Sequence, residues 1–253
     1  MTARRVAALY DVHGNLPALE AVLADVERAD ADLVLLGGDV AAGPMPAETV
    51  DAVLALGGRL VAIRGNADRA AAEGRQPETQ PEEWAERDAW TRAQLREEHL
   101  RFLGGLPPTA SVEIDGLGPT LFCHGSPRSD EEILTRATPA ERLRPILAGV
   151  GERVVVCGHT HVQFDRTVDR VRVVNAGSVG MPYEGRTGAY WALLGPDVEL
   201  RRSEYDVEAA ARRIRATGFP GADDYAREYV LASYSADEAT ETFERMAAGA
   251  SGK

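Results

Sequence analysis

Four of the chain's five histidines fall in short segments rich in metal-binding side chains. The segments are Asp11-Val12-His13-Gly14-Asn15, Gly38-Asp39, Gly65-Asn66-Ala67-Asp68, His124-Gly125 and Gly158-His159-Thr160-His161. Imidazole, carboxylate and amide oxygen together suit divalent first-row metals. Asp11 and His13 are two residues apart, so on an extended stretch both point the same way and can grasp one ion. His159 and His161 alternate in the same phase. Asp39 has two carboxylate oxygens and could bridge two ions, and Asn66 offers a neutral oxygen. Two ions about 3.5–4 Å apart clamp the attacking and leaving oxygens of a displacement at phosphorus, and a bound water's pKa falls toward roughly 7. Asp-x-His or Gly-Asp alone is too common to carry this reading; the ordered set of five carries it.

Each segment follows an apolar run that reads as a β-strand. Val6–Tyr10, Leu33–Leu36 and Leu60–Ile63 are short buried strands, separated by helical patterns at Leu19, Val22, Leu23 and Val26 and over Ala47–Leu56. Pro17 suits the first turn of the earlier helix. Alternating strands and helices predict parallel βαβ units, in which ligands collect beyond the carboxyl ends of the strands. Glu73–Leu106 breaks the pattern with Pro77 and Pro81, then turns helical. It reads equally as a surface insertion and as a cap over the site, and His99 within it reads as a solvated helix residue. From Thr109 the chain is strand-rich, with runs at Val112–Ile114, Leu121–Cys123, Val154–Cys157, Phe164–Val168, Val171–Val174, Tyr190–Leu194 and Val198–Arg202. This predicts a second sheet packed on the first, with helices outside. Residues 206–253 read as a helical C-terminal extension, which either packs on the sheet or holds a second copy in a homodimer. Residues 1–253 thus read as one α/β domain, with 73–106 a helical insertion.

Composition narrows the function classes. With 253 residues and 44% hydrophobic content, the chain can fill a sizeable core without disulfides. Cys123 and Cys157 read as small buried strand residues. No apolar run approaches the ~20 residues that span a bilayer, and the first residues lead straight into a strand, so the expectation is a cytoplasmic protein without membrane contact. A net charge of −12 disfavours long nucleic acid as a partner.

In order and type, the five segments resemble the calcineurin-like metallophosphoesterase superfamily over residues 6 to about 200. Asn175-Ala176-Gly177-Ser178-Val179-Gly180 is similar to the Asn-Pro-Gly-Ser segment of its compact bacterial and archaeal phosphodiesterase branch. The resemblance implies two packed mixed sheets flanked by helices, a four-layer sandwich. It implies a first metal held by Asp11, His13 and His161, a second held by Asn66, His124 and His159, and Asp39 bridging them. A bridging hydroxide would then attack phosphorus, with Asp39, Asn66 and His124 in the catalytic machinery. Manganese is the favoured metal, with iron, zinc and nickel as alternatives.

One position departs from the family pattern. Many relatives carry histidine after the Asn of the third motif, where it assists the leaving group or binds phosphate; here the residue is Ala67. Without the imidazole, rates should depend steeply on leaving-group pKa. The expected substrate is a small phosphodiester or activated phosphate ester. A phosphomonoesterase, a dinucleoside polyphosphate hydrolase and a non-catalytic metal-binding scaffold are the alternatives. Asn15, Arg69, Arg128 and Tyr183 lie close enough to the motifs to be candidate substrate contacts.

Overall fold

A computed structural model describes residues 1–74 and 82–250 of the chain. Pro77 and Pro81, and the last three residues of the C-terminal extension, lie outside the described residues. Two mixed sheets face each other. The first runs β11-β10-β2-β3-β4 and the second β1-β5-β6-β7-β9-β8. The strands are β1 (Thr2–Ala3), β2 (Val6–Leu9), β3 (Leu33–Leu36), β4 (Leu60–Ala62), β5 (Thr109–Ile114), β6 (Gly118–Cys123), β7 (Val154–Cys157), β8 (Phe164–Val168), β9 (Val171–Asn175), β10 (Ala189–Leu194) and β11 (Val198–Ser203). β2, β3 and β4 pair in parallel, as do β6, β7 and β9.

The two-residue period of a strand divides the core into layers. From β2, Val6 and Ala8 point toward the second sheet and pack with Val112, Phe122, Val154 and Val156. Ala7 and Leu9 point the other way, onto Leu19, Val22 and Val26 of α1 (Leu16–Arg28) and Val50 and Val53 of α2 (Pro46–Leu54). On the far side, Cys123, Val155, Cys157 and Val173 meet Leu143, Ile146 and Leu147 of α6 (Ala140–Leu147). Helix, sheet, sheet and helix form the four-layer sandwich that the resemblance implied, and both cysteines are buried and free.

The stretch after β4 differs in detail from its reading. A helix begins directly at the third motif: α3 (Asn66–Glu73), capped by Gly65. Then come α4 (Glu82–Gln94) and α5 (Glu97–Gly105). His99 of α5 is not solvated. It is fully buried with its i+4 neighbour Leu103, and its Nε2 lies 3.0 Å from Asp51 Oδ1 of α2. The surrounding charges hid a one-sided helix face: Glu97, Glu98 and Arg101 point out while His99 and Leu103 point in. After β11 come α7 (Val207–Arg215), the short α8 (Ala222–Tyr225), a π-turn at Ala226–Val230 and α9 (Ala236–Ala250). Among the described residues, no helix is long and apolar enough to cross a membrane.

Packing at the carboxyl ends of the strands leaves no spare room. A Cβ at Gly37 would lie 2.0 Å from the Tyr10 ring, which is fully buried and donates its hydroxyl to Val156 O at 3.0 Å across the two sheets. Gly37→Ala is therefore expected to destabilise the fold by about 1–3 kcal/mol, the usual cost of overpacking. Gly149→Ala, whose Cβ would meet nothing within 4 Å, should stay within about 0.5 kcal/mol of wild type. Urea unfolding of the two variants checks this contrast.

Candidate metal centre

The five motifs leave the carboxyl ends of β2, β3, β4, β6 and β7 and meet at one edge of the sandwich. Backbone hydrogen bonds tie the loops together. His13 N donates to Asp39 O at 2.9 Å, Gly14 N to Val40 O at 2.9 Å and Gly158 N to His124 O at 2.9 Å. Asp11, His13, Asp39, His159 and His161 all have φ between 47° and 66°, in the left-handed region. Side chains rarely adopt that conformation, and it persists where the surrounding structure over-determines it. The strain sits on the residues the motifs single out.

The side chains converge on a pair of buried carboxylates. Asp11 Oδ2 accepts the backbone N–H of His159 at 2.9 Å, while its Oδ1 has no hydrogen-bond partner. Around that oxygen stand His161 Nε2 at 3.3 Å, His124 Nε2 at 3.7 Å and His13 Nε2 at 3.8 Å. Asp39 Oδ1 accepts Ala67 N–H at 2.8 Å, leaving Oδ2 3.4 Å from His124 Nε2 and 3.9 Å from His13 Nε2. Asn66 Oδ1 lies 3.1 Å from His124 Nε2. Two compact ligand sets result, Asp11–His13–His161 and Asp11–Asp39–His124, with Asp11 common to both. The His159 ring flanks the second set, its centroid 5.1 Å from that of His124.

This donor set fits cations. Nδ1 of His13, His124 and His161 faces the carbonyls of Ala42, Gly37 and Met181 at 3.2, 2.9 and 2.7 Å. A carbonyl only accepts, so each ring donates from Nδ1 and, when neutral, presents the Nε2 lone pair to the centre. Such outer partners orient metal-binding imidazoles. Nε2 of His13 and of His161 face each other at 3.2 Å. Two lone pairs at that distance repel unless a proton or a metal ion lies between them, and a cation there would also satisfy the orphan Asp11 Oδ1. Burial, then the His161 charge, lowers the His13 pKa. Burial and the His124 charge lower that of His159 to about 4. For His124 burial works downward, but Asp39 and Asp11 prevail and raise it to about 10. The carboxyls of Asp11 and Asp39 lie below the usual range: burial opposes this, but the histidine charges win.

A buried frame holds the ligands. Asp68 accepts the N–H groups of Asp39, Val40 and Gly65 at 2.7, 2.9 and 3.0 Å, locking the second and third motifs together. Burial and the Asp39 charge push its pKa up to about 6, against amide donors that favour the ionised form. Asn175 Nδ2 donates to Gly158 O at 2.7 Å, and Ser178 Oγ donates to Asp11 O at 2.7 Å. The Asn175–Gly180 segment thus braces the first and last motifs.

Over the ligands opens a cavity of about 540 Å³. His13, Asp39, Asn66, His159 and His161 form its floor, with Ala67 beside them. Tyr183 lines it, its ring stacked on His161 at 4.9 Å and 24°. The other three candidate substrate contacts stand elsewhere. Asn15 is fully buried, capping α1 through Ala18 N and donating to Gly180 O, so its amide is consumed by the frame. Arg69 forks onto Asp130 at 2.8 Å and Glu131 at 2.6 Å, and Arg128 onto Glu132. Neither lines the cavity. α4, inside the stretch read equally as a surface insertion and as a cap, lines the cavity with Trp84, Arg87, Asp88 and Thr91; sequence reading missed Phe219, and Phe243 and Met246 of α9. The α4 residues recur at i, i+3, i+4 and i+7, a one-face signal that was legible but masked by charge.

Comparison with known proteins accords with this geometry. Residues 5–195 match the model of the calcineurin-like phosphoesterase superfamily domain. Uncharacterized protein MJ0912 of Methanocaldococcus jannaschii is 27% identical over 239 residues, spanning 87% of this chain and 96% of its own. A metallophosphoesterase from Sphaerobacter thermophilus, 28% identical, superposes with a TM-score of 0.73 over 91% of this chain and 99% of its own. The hypothetical protein PH1004 from Pyrococcus horikoshii OT3, 22% identical, shares the fold with a TM-score of 0.78 over 92% of this chain and 100% of its own.

Asp11→Asn separates ligation from structure, because an amide oxygen can still accept the His159 N–H. Near neutral pH the metal-free variant should unfold at or below the wild-type temperature, since the ionised carboxylate it loses is favoured by the surrounding histidine charges. Manganese at ~100 times its dissociation constant should stabilise wild type by about 2.7 kcal/mol per site, and the variant far less. Thermal melts with and without the metal check both arms.

Proposed function

Because the chain belongs to the calcineurin-like phosphoesterase superfamily, we propose that this phosphoesterase works with two divalent ions and prefers phosphodiesters to phosphomonoesters. The observation that carries the metal reading is the pair of ligand sets sharing Asp11, with one buried oxygen left without a partner. Asp11, His13 and His161 would hold one ion, and Asn66, His124 and His159 the other, with Asp39 shared between them; its Oδ2 lies 3.9 Å from His13 Nε2 and 3.4 Å from His124 Nε2. When bound, such a pair acidifies a water and neutralises phosphoryl charge. The protein's own part is to hold these ligands on a strained, cross-braced frame, so that little reorganisation accompanies reaction.

The wall of the cavity supports the diester preference. A monoester carries up to two negative charges near neutral pH, and a diester one. Glu131 and Glu132 line the cavity, and Arg87 is the only arginine or lysine among its described lining residues. That guanidinium is held against the wall: its Nε donates to Pro220 O at 3.1 Å and its carbon lies 4.9 Å from the Trp84 ring centroid. The remaining wall, Trp84, Phe219, Tyr183 and Phe243, offers aromatic surface to a second ester arm. A site for a doubly charged monoester would be expected to present a spare cation.

A panel of phosphomonoesters, phosphodiesters, cyclic nucleotides and dinucleoside polyphosphates, assayed with manganese, tests the reading. Diesters should give the highest kcat/KM, and Asp39→Ala should abolish turnover. Monoesters turned over fastest would overturn the preference. Anomalous scattering from a manganese-soaked crystal should locate two ions about 3.5–4 Å apart.

A further inference from the structure

An ester oxygen that leaves phosphorus as an alkoxide needs a proton, and the methyl of Ala67 has none to give. Ala67 borders two adjoining cavities: the large one over the ligands, and a smaller one of about 230 Å³ between α3 and α4. Asp88 is the one acid that lines both. It lies on the face of α4 that carries Trp84 and Thr91, across from Ala67 and on the same cavity as Asp39 and Asn66.

Asp88 has no hydrogen bond or ion pair among the described residues, and its Oδ2 is buried without a partner. The cations near it on α4 are committed elsewhere. Arg87 reaches Pro220 O, and Arg92 donates to the carbonyls of Ala71 and Ala72. A carboxylate kept for stability would be paired; one that is half-buried, unpaired and open to the reaction chamber is placed for chemistry.

We infer that Asp88 is the general acid of this phosphoesterase, donating its carboxyl proton to the leaving-group oxygen. The inference rests on the function proposed above. As the incoming oxygen forms its bond to phosphorus, the P–O bond to the leaving group breaks and its electron pair goes to the departing oxygen. That oxygen takes the proton from Asp88, whose O–H pair stays behind as carboxylate. Water entering the cavity returns the proton. In the metal-free protein burial, with the charge of Asp39 adding to it, raises the Asp88 pKa to about 6, and burial is the part of that shift that favours the protonated carboxyl independently of the ligands. The Ala67 position alone predicts a steep dependence on leaving-group pKa; Asp88 makes it shallow.

The test compares manganese-loaded wild type with Asp88→Asn on a series of methyl phosphodiesters whose leaving groups run from nitrophenol to simple alcohols. The variant should lose about 10²–10⁴-fold on alkyl leaving groups, yet stay within roughly threefold on nitrophenolate, which needs no proton. Two readouts stand apart from activity. Manganese content by elemental analysis should match wild type, and the metal-free variant should melt at or above the wild-type temperature, because an unpaired buried carboxylate is removed. An equal loss on every leaving group, no loss on any, or a fall in melting temperature would each overturn the assignment. Wild type inert toward every ester would instead overturn the phosphoesterase reading, and this inference with it.

Discussion

The molecule turns on a carboxylate that burial makes costly. Asp11 is fully buried, one oxygen is committed to the backbone of His159, and the other is orphaned among three imidazoles. An unpaired charge in such a place is affordable only beside a cation. Everything around it is arranged to prevent escape. Its backbone carbonyl receives both Ser178 Oγ and Gly180 N, its own N–H is spent on Gly38 O, and its φ is held at 53°. Two stacked sheets supply that frame, because their strands deliver five loops to one edge.

The same constraint explains which neighbours matter. Asn15, Asp68, Asn175 and Ser178 never reach the cavity, yet each spends its hydrogen bonds on holding a ligand loop in an unfavourable conformation. Stability and chemistry are thus divided between two shells. The outer shell satisfies its polar atoms fully, while the inner one leaves specific atoms unsatisfied, and those are the reactive ones.

Much of this was legible in the sequence because it depends on local order. Strands of four to six residues announced themselves as apolar runs, and ligand types follow them in fixed positions. Asp39 and His159 could be picked out without knowing what they touch. What the sequence hid depends on meetings between distant segments. His99 looked solvated because its immediate neighbours are charged, and only the packing of α5 against Asp51 removes it from water. Arg69 and Arg128 looked like phosphate ligands because nothing local revealed that Asp130, Glu131 and Glu132 would claim them. The far part of the cavity wall was hidden for the same reason, since Phe219 and α9 meet α4 and Tyr183 only in three dimensions.

That wall has a bearing on how the protein is made and altered. Every ligand lies between Asp11 and His161, whereas Phe219, Phe243 and Met246 close the chamber from far downstream. A chain emerging from the ribosome therefore owns its complete ligand set, and the α4 wall, well before it owns the last part of the surface against which a substrate would rest. Inheritance can exploit the same order: Phe243 and Met246 of α9 supply wall and no ligand, so the chamber can be reshaped there by changes that leave every ligand loop as it is.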